Sequence, residues 1–258
     1  MAARANKPTK KSTEPPLRIL CFGNSLTCGF PVGNPYAGQL ARKIEEAFPG
    51  RAVEYDVEGW PGDLVTRGHY TRRMQNSWES AQYPYDWTIV LGGTNDLGWN
   101  RPADIIEGLK RAWDIPLSKG GKVLALTIPE TKSTSRETIE RRNEVNDAIR
   151  GYEKDNFFHF DLFKALPYHQ MAPHDRGKYW DPDGVHLQAA GYDLMGEKIG
   201  DALVRILRLA EAQCTDISSI VSDARQRKAI EDLIYEEEMG DPRLLSQGYI
   251  IVRKKDLD

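Results

Sequence analysis

Five short apolar runs with strand character punctuate the sequence: LRILCF (17–22), AVEYDV (52–57), DWTIVLGG (86–93), KVLALTI (122–128) and FFHFDL (157–162). Helical periodicity fills the stretches between and after them. Tyr36, Leu40, Ile44 and Phe48 line one face of 36–48, and Ile105, Ile106, Leu109 and Trp113 form a stripe in 102–118, where Pro102 suits a first helical turn. Ile139, Val145 and Ile149 mark 136–152, and Leu187, Tyr192, Leu194, Ile199, Leu203 and Ile206 mark 187–210. Strand alternating with helix argues a parallel sheet covered by helices on both faces. Ligands of such sheets bind beyond the carboxyl ends of the strands, where the strand order reverses. Chemistry is therefore to be sought just after each run.

With 258 residues, the chain fits one large domain with an extension better than two equal halves. The expected division is a basic tail over 1–16, a domain over 17–213 and an extension over 214–258, reading as a charged helix over 216–239 and a short terminal strand. No apolar run approaches the roughly 18 residues of a membrane span. A net charge of −3, from 35 basic and 38 acidic residues, leaves no strong field and argues against nucleic acid as a partner. The odd count of three cysteines argues against a secreted disulfide framework, and no apolar core follows the basic N-terminus as in a signal peptide. The expected address is cytoplasmic; the oligomeric state is open.

After the first run comes FGNSLTCG, with Ser25 at a strand-to-loop corner where an adjacent base can activate its hydroxyl. Taken alone it also reads as a turn serine. After the second comes EGWPGD, whose Gly59 and Gly62 let a backbone N–H approach an oxyanion without interference from a Cβ. GGTND follows the third and brings Asn95, a neutral amide donor, to the same sheet edge. Late in the chain, DPDGVHL sets Asp183 three residues before His186, a spacing that in a tight turn places a carboxylate on Nδ1 and frees Nε2 as a base. His159 beside Asp161 reads as a buried strand alternation and His174 beside Asp175 as a loop; a metal site from His169, His174 and Asp175 is weakly supported. No GxSxG elbow occurs, which excludes the α/β-hydrolase pattern. Together the segments supply a nucleophile, an oxyanion hole and a base with its orienter.

In these four blocks the chain resembles the SGNH (GDSL-type) hydrolase superfamily. FGNSLT resembles the first block with Ser25 as nucleophile, GWPGD the second with Gly62 as oxyanion glycine, GGTND the third with Asn95, and DGVHL the fifth with Asp183 and His186. The resemblance spans about residues 17–210. It implies a three-layer α/β/α sandwich with a five-stranded parallel sheet, and no metal or cofactor. One position departs: the usual Gly-Asp-Ser-Leu reads Gly23-Asn24-Ser25-Leu26, keeping the hydrogen-bonding shape and dropping the charge.

The resemblance implies hydrolysis of a small-molecule carboxylic ester of small to medium acyl chain through a Ser25–His186–Asp183 triad and an acyl-enzyme. The Ser25 and Gly62 N–H groups and the Asn95 amide would hold the oxyanion. Asn24, Trp60, Tyr179 and Trp180 are the candidates for substrate contact; the aromatic residues of 167–181 read equally as loop packing. Acyl transfer, thioester hydrolysis and carbohydrate deacetylation use the same site. A non-catalytic binding protein of this fold is the reading from another class.

Overall fold

The computed structural model describes residues 15–220. They divide between Val204 and Arg205 into two compact units, and the described part of the second is helical to Ile220. Of the tail expected over 1–16 only Pro15 and Pro16 are described. Of the extension over 214–258, the helical residues up to Ile220 are described; the rest of the expected helix and the expected terminal strand lie outside the described residues.

In chain order, β1 (Leu17–Gly23) leads into a four-residue helix α1 (Ser25–Cys28) and then α2 (Ala37–Ala47). β2 (Val53–Gly59) is followed by α3 (Gly68–Ser80), β3 (Trp87–Leu91) by α4 (Pro102–Ser118), and β4 (Lys122–Leu126) by α5 (Arg136–Arg150). After β5 (Phe157–Phe160) come the short α6 (Leu162–Ala165) and α7 (Pro173–Tyr179) and the long α8 (Ala189–Ile220). The five strands form one parallel sheet in the order β2-β1-β3-β4-β5, the α/β architecture that the alternation implied.

Side chains of one strand face alternate sides, and here both sides are covered. Leu20, Phe22, Val90, Val123 and Ala125 pack with Tyr70, Met74 and Trp78 of α3, Ile105, Leu109 and Trp113 of α4, and Val145 and Ile149 of α5. Their neighbours Ile19, Cys21, Ile89, Leu91, Leu124 and Leu126 are buried on the other side. There α2 and the first turns of α8 bury Leu40, Ile44, Ile199 and Leu203, and a Lys43–Asp201 ion pair at 3.0 Å joins the two helices.

Two features of this frame position a site. The sheet's order reverses at β1, since β2 lies on one side of it and β3 on the other; this is the switch point where ligands bind. The three strand ends are also level, because Gly23 pairs with Gly59 on one side and with Leu91 on the other. The segments after β1, β2 and β3 therefore leave the sheet side by side.

Several elements differ from the sequence reading. Helix α3 was not anticipated: its stripe of Tyr70, Met74 and Trp78 is interrupted by a buried Arg73, and Arg67 at its start offers no side-chain cap. The corner holding Ser25 is the first turn of α1 rather than a loop. His159 is exposed, since β5 is an edge strand, and His174 lies in α7 rather than in a loop.

Candidate active site

Ser25 is the first residue of α1, two residues beyond the end of β1. Asn24 caps this short helix: its side-chain oxygen accepts the Leu26 N–H at 3.1 Å. Asn24 is 1% exposed and its Nδ2 has no partner among the described residues, so it is placed in the interior as a cap, not on the open crevice. An aspartate would cap through the same oxygen, so the chain's departure at this position leaves the turn geometry intact.

The segment 181–186 is closed on itself. Asp181 N–H donates to the His186 carbonyl and Gly184 N–H to the Asp181 carbonyl, both at 2.9 Å, while Trp180 bridges to Leu187. Gly184 takes φ +68°, a left-handed conformation that lets the chain reverse. Asp183 Oδ1 accepts the Val185 and His186 N–H groups at 2.8 and 2.9 Å. Its Oδ2 lies 2.6 Å from His186 Nδ1, and His186 Nε2 lies 2.9 Å from Ser25 Oγ. Burial acts to raise the Asp183 carboxyl, but hydrogen bonds from the His186 ring and the two backbone N–H groups outweigh it and hold the group below its usual range. It stays ionised and accepts from Nδ1, which leaves Nε2 as the acceptor facing the serine.

Opposite this pair, Gly62 stands on a turn closed by Asp63 N–H donating to the Trp60 carbonyl at 3.2 Å. Its φ of +77° demands glycine, and a Cβ there would meet nothing, so the turn faces open space. Neither the Ser25 N–H nor the Gly62 N–H has an acceptor among the described residues. The Asn95 amide donates at 2.9 Å to the Asp63 carbonyl, which fixes its orientation and leaves its second hydrogen uncommitted. These groups leave the level ends of β1, β2 and β3.

Of the expected substrate contacts, Trp60 is 54% exposed and stands edge-on to His69 at 5.2 Å. Tyr179 is half-buried at the end of α7. Trp180 is 2% exposed, with its indole N–H on the Pro167 carbonyl, so it packs as interior. No group of three or more His, Cys, Asp or Glu side chains among the described residues is arranged to hold a metal ion, and none of the described helices is long and apolar enough to cross a membrane.

Sequence reasoning missed four residues that shape the site. Phe30 is 46% exposed and packs edge-on against the His186 ring at 5.0 Å. Asp63 and Arg73 form a buried ion pair at 2.9 Å beneath the Gly62 turn. Asp96 accepts the Val65 and Thr66 N–H groups and the Thr66 hydroxyl, which ties the loop after β3 to the one after β2. Burial raises the Asp96 carboxyl, and those hydrogen bonds oppose the rise. The available signal was the acid following each block residue, Asp63 after Gly62 and Asp96 after Asn95.

The geometry agrees with what comparison finds. Among curated proteins none matches the chain. The chain is similar to the solved structure of a lipolytic G-D-S-L family protein from Veillonella parvula, at 23% identity and TM-score 0.56, over 70% of this chain and 94% of that one. It is similar to a lipase/acylhydrolase from Enterococcus faecalis at 24% identity and TM-score 0.56, over 72% and 95% of the two chains. A carbohydrate esterase family 3 structure from Talaromyces cellulolyticus aligns at 14% identity and TM-score 0.53, over 74% of this chain and 98% of that one. At these identities the likeness shows a shared fold. The model of the GDSL-like lipase/acylhydrolase family matches residues 21–194, well over half of the sequence and all of the site described above, and the chain belongs to that family.

Proposed function

We propose that the protein is a serine hydrolase that cleaves carboxylic esters of small to medium acyl chain through an acyl-enzyme. The observation that carries this reading is the unbroken line from Asp183 Oδ2 through His186 to Ser25 Oγ, with steps of 2.6 and 2.9 Å. His186 Nε2 takes the Ser25 proton as Oγ attacks the ester carbonyl, and Asp183 steadies the imidazolium. The carbonyl oxygen, now negative, receives the Ser25 and Gly62 N–H groups and the free hydrogen of the Asn95 amide. One such donor typically lowers the barrier by about 2.7–4 kcal/mol. His186 then returns the proton to the leaving alcohol, and water, activated by the same ring, releases the acid. The chemistry asks for no metal or cofactor.

The test joins a serine-reactive phosphonate with a panel of acyl esters of graded chain length, run beside sugar acetates and a thioester. One adduct per chain at Ser25, ester turnover, and loss of both in Ser25→Ala are expected. A folded protein that takes no adduct and turns over none of the panel is a binding module, and the proposal fails.

A further inference from the structure

We infer that Arg73 is the positioning residue of the oxyanion-stabilising groups: one buried guanidinium sets the relative placement of the Ser25 N–H, the Gly62 N–H and the Asn95 amide. The inference rests on the acyl-transfer reading of the site.

Arg73 projects from α3 and is 8% exposed. Its Nη2 donates to the Gly23 carbonyl at 2.8 Å, at the end of β1 and two residues before Ser25. Its Nη1 donates to the Glu58 carbonyl at 3.2 Å, near the end of β2. Its Nε donates to Asp63 Oδ2 at 3.0 Å, one residue past Gly62. Asp63 in turn offers its backbone carbonyl to the Asn95 amide. The same Gly23 carbonyl also accepts the Trp60 N–H at 3.1 Å, so two of the three segments meet at one oxygen.

Every proposed donor to the oxyanion therefore lies within two residues of an atom that Arg73 or Asp63 holds. Main-chain acceptors carry most of this network, which fixes backbone position rather than side-chain orientation alone. The plane of the guanidinium is held as well: the Phe22 ring lies 4.5 Å from its carbon, with Tyr70 and Trp60 at 5.7 and 5.9 Å. Holding three acceptors, one at the end of β1 and two on β2 and the loop after it, requires the rigid fork of arginine. A lysine ammonium keeps the charge beside Asp63 but cannot span them.

A structural filler and a positioning residue give different kinetics. Misplacing transition-state donors by a fraction of an ångström to about 1 Å costs on the order of 10–100-fold in rate, and the loss falls on kcat rather than KM. The experiment compares wild type with Arg73→Met, Arg73→Lys and Asp63→Asn in the full-length chain. It reads kcat and KM on a short-chain ester, the melting temperature, and inhibition by an alkyl boronic acid, whose tetrahedral serine adduct occupies the oxyanion position. Ile149→Ala serves as a destabilised control: Ile149 is a core residue, 1% exposed, in the last turn of α5 and in none of the three segments that carry the donors.

We expect kcat to fall about 10–100-fold in Arg73→Met with KM within about threefold, and boronate affinity to fall with kcat/KM. Arg73→Lys should recover melting temperature but not kcat, and Ile149→Ala should lose melting temperature with kcat kept. Where Arg73→Met does not fold, Arg73→Lys and Asp63→Asn carry the comparison. A folded Arg73 variant with kcat within threefold of wild type overturns the inference, as does boronate affinity that stays put while kcat falls. Failure of the underlying reading looks different: Ser25→Ala would then keep its activity.

Discussion

The Asp183 carboxylate does two separable things, and replacing it tests whether His186 works as a base. Oδ1 holds the turn through two backbone N–H groups at 2.8 and 2.9 Å, and Oδ2 holds the imidazole through Nδ1 at 2.6 Å. In Asp183→Asn the turn survives only if the amide oxygen takes the Oδ1 position, since the reverse orientation sets an NH2 group against two N–H donors. The amide nitrogen then donates to His186 Nδ1. That forces the ring proton onto Nε2, which becomes a donor toward Ser25 Oγ and can no longer accept its proton. A tautomer reversal of this kind costs on the order of 10⁴ in kcat in serine proteases, about 5 kcal/mol of barrier.

Asp183→Ala also loses the base's orienter, but it loses the turn's two hydrogen bonds too. At about 0.5–1.5 kcal/mol each these bonds sum to about 1–2 kcal/mol, toward the low end of the range because the Asp183 side chain is 43% exposed. For a domain of this size that is a drop of about 3–6 °C in melting temperature. Initial rates on a short-chain ester and thermal melts followed by circular dichroism read both quantities. The expected pattern is two inactive variants, with the asparagine melting within about 2 °C of wild type and the alanine lower. An asparagine variant that keeps more than about 1% of wild-type turnover refutes the tautomer argument; one that melts as low as the alanine refutes the account of the turn.

Asn95→Ala should lower kcat about 10²–10³-fold with KM little changed; a raised KM with kcat kept would make Asn95 a ground-state binder. Phe30→Ala should cut kcat/KM about 2–10-fold for esters of benzyl or phenyl alcohols and spare methyl esters, because the Phe30 ring packs on His186, whose Nε2 would protonate the departing alcohol in the proposed mechanism; an equal loss on methyl esters would make the ring a mere support for His186. Burial pushes the Asp161 carboxyl up, but hydrogen bonds from Arg150 and Thr127 override it and hold the group below its usual range. The wild type's stability advantage over Asp161→Asn should therefore be complete above the unfolded carboxylate's pKa of about 3.9 and shrink as pH falls through the lower folded value; an advantage that grows on acidification would reverse the sign of that coupling.

The sheet and the outline of the site were legible because both are written in local pattern. The runs at 17–22, 86–93 and 122–128 are buried on both faces, so their apolar character survives any detail of packing. Ser25, Gly62 and Asn95 follow strands directly, and the topology rule then brings them to one edge. What escaped depends on partners far away in sequence. Arg73 reads as a surface charge until Gly23, fifty residues earlier, is seen to accept from it. Trp180 looked like a pocket aromatic because a loop of aromatic residues says nothing about which way each ring turns. Phe30 stands in the sequence as a single aromatic in a glycine- and proline-rich loop, and only its contact with His186 gives it a role.

The two halves of the site differ in physical character, and the difference predicts how each responds to change. The half that would receive the oxyanion stands over buried charge: Asp63, Arg73 and Asp96 are all below 10% exposed, Arg73 bonds to Asp63 and to the Gly23 and Glu58 carbonyls, and Asp96 bonds to the Val65 and Thr66 N–H groups. Removing one partner there strands a buried charge, a loss typically of about 3–5 kcal/mol, so stability and rate should fall together. The half that would supply the base stands on a short turn closed by its own backbone and by an Asp183 side chain in contact with solvent. Water can replace what a substitution removes there, so rate should fall with little loss of stability. This division also fits the demands of acyl transfer. Donors to a developing charge act only if they are already in place when the charge appears, whereas a general base must exchange protons with an alcohol and with water that arrive from outside. Rigid buried support on one side and an open turn on the other meet both demands in a single crevice.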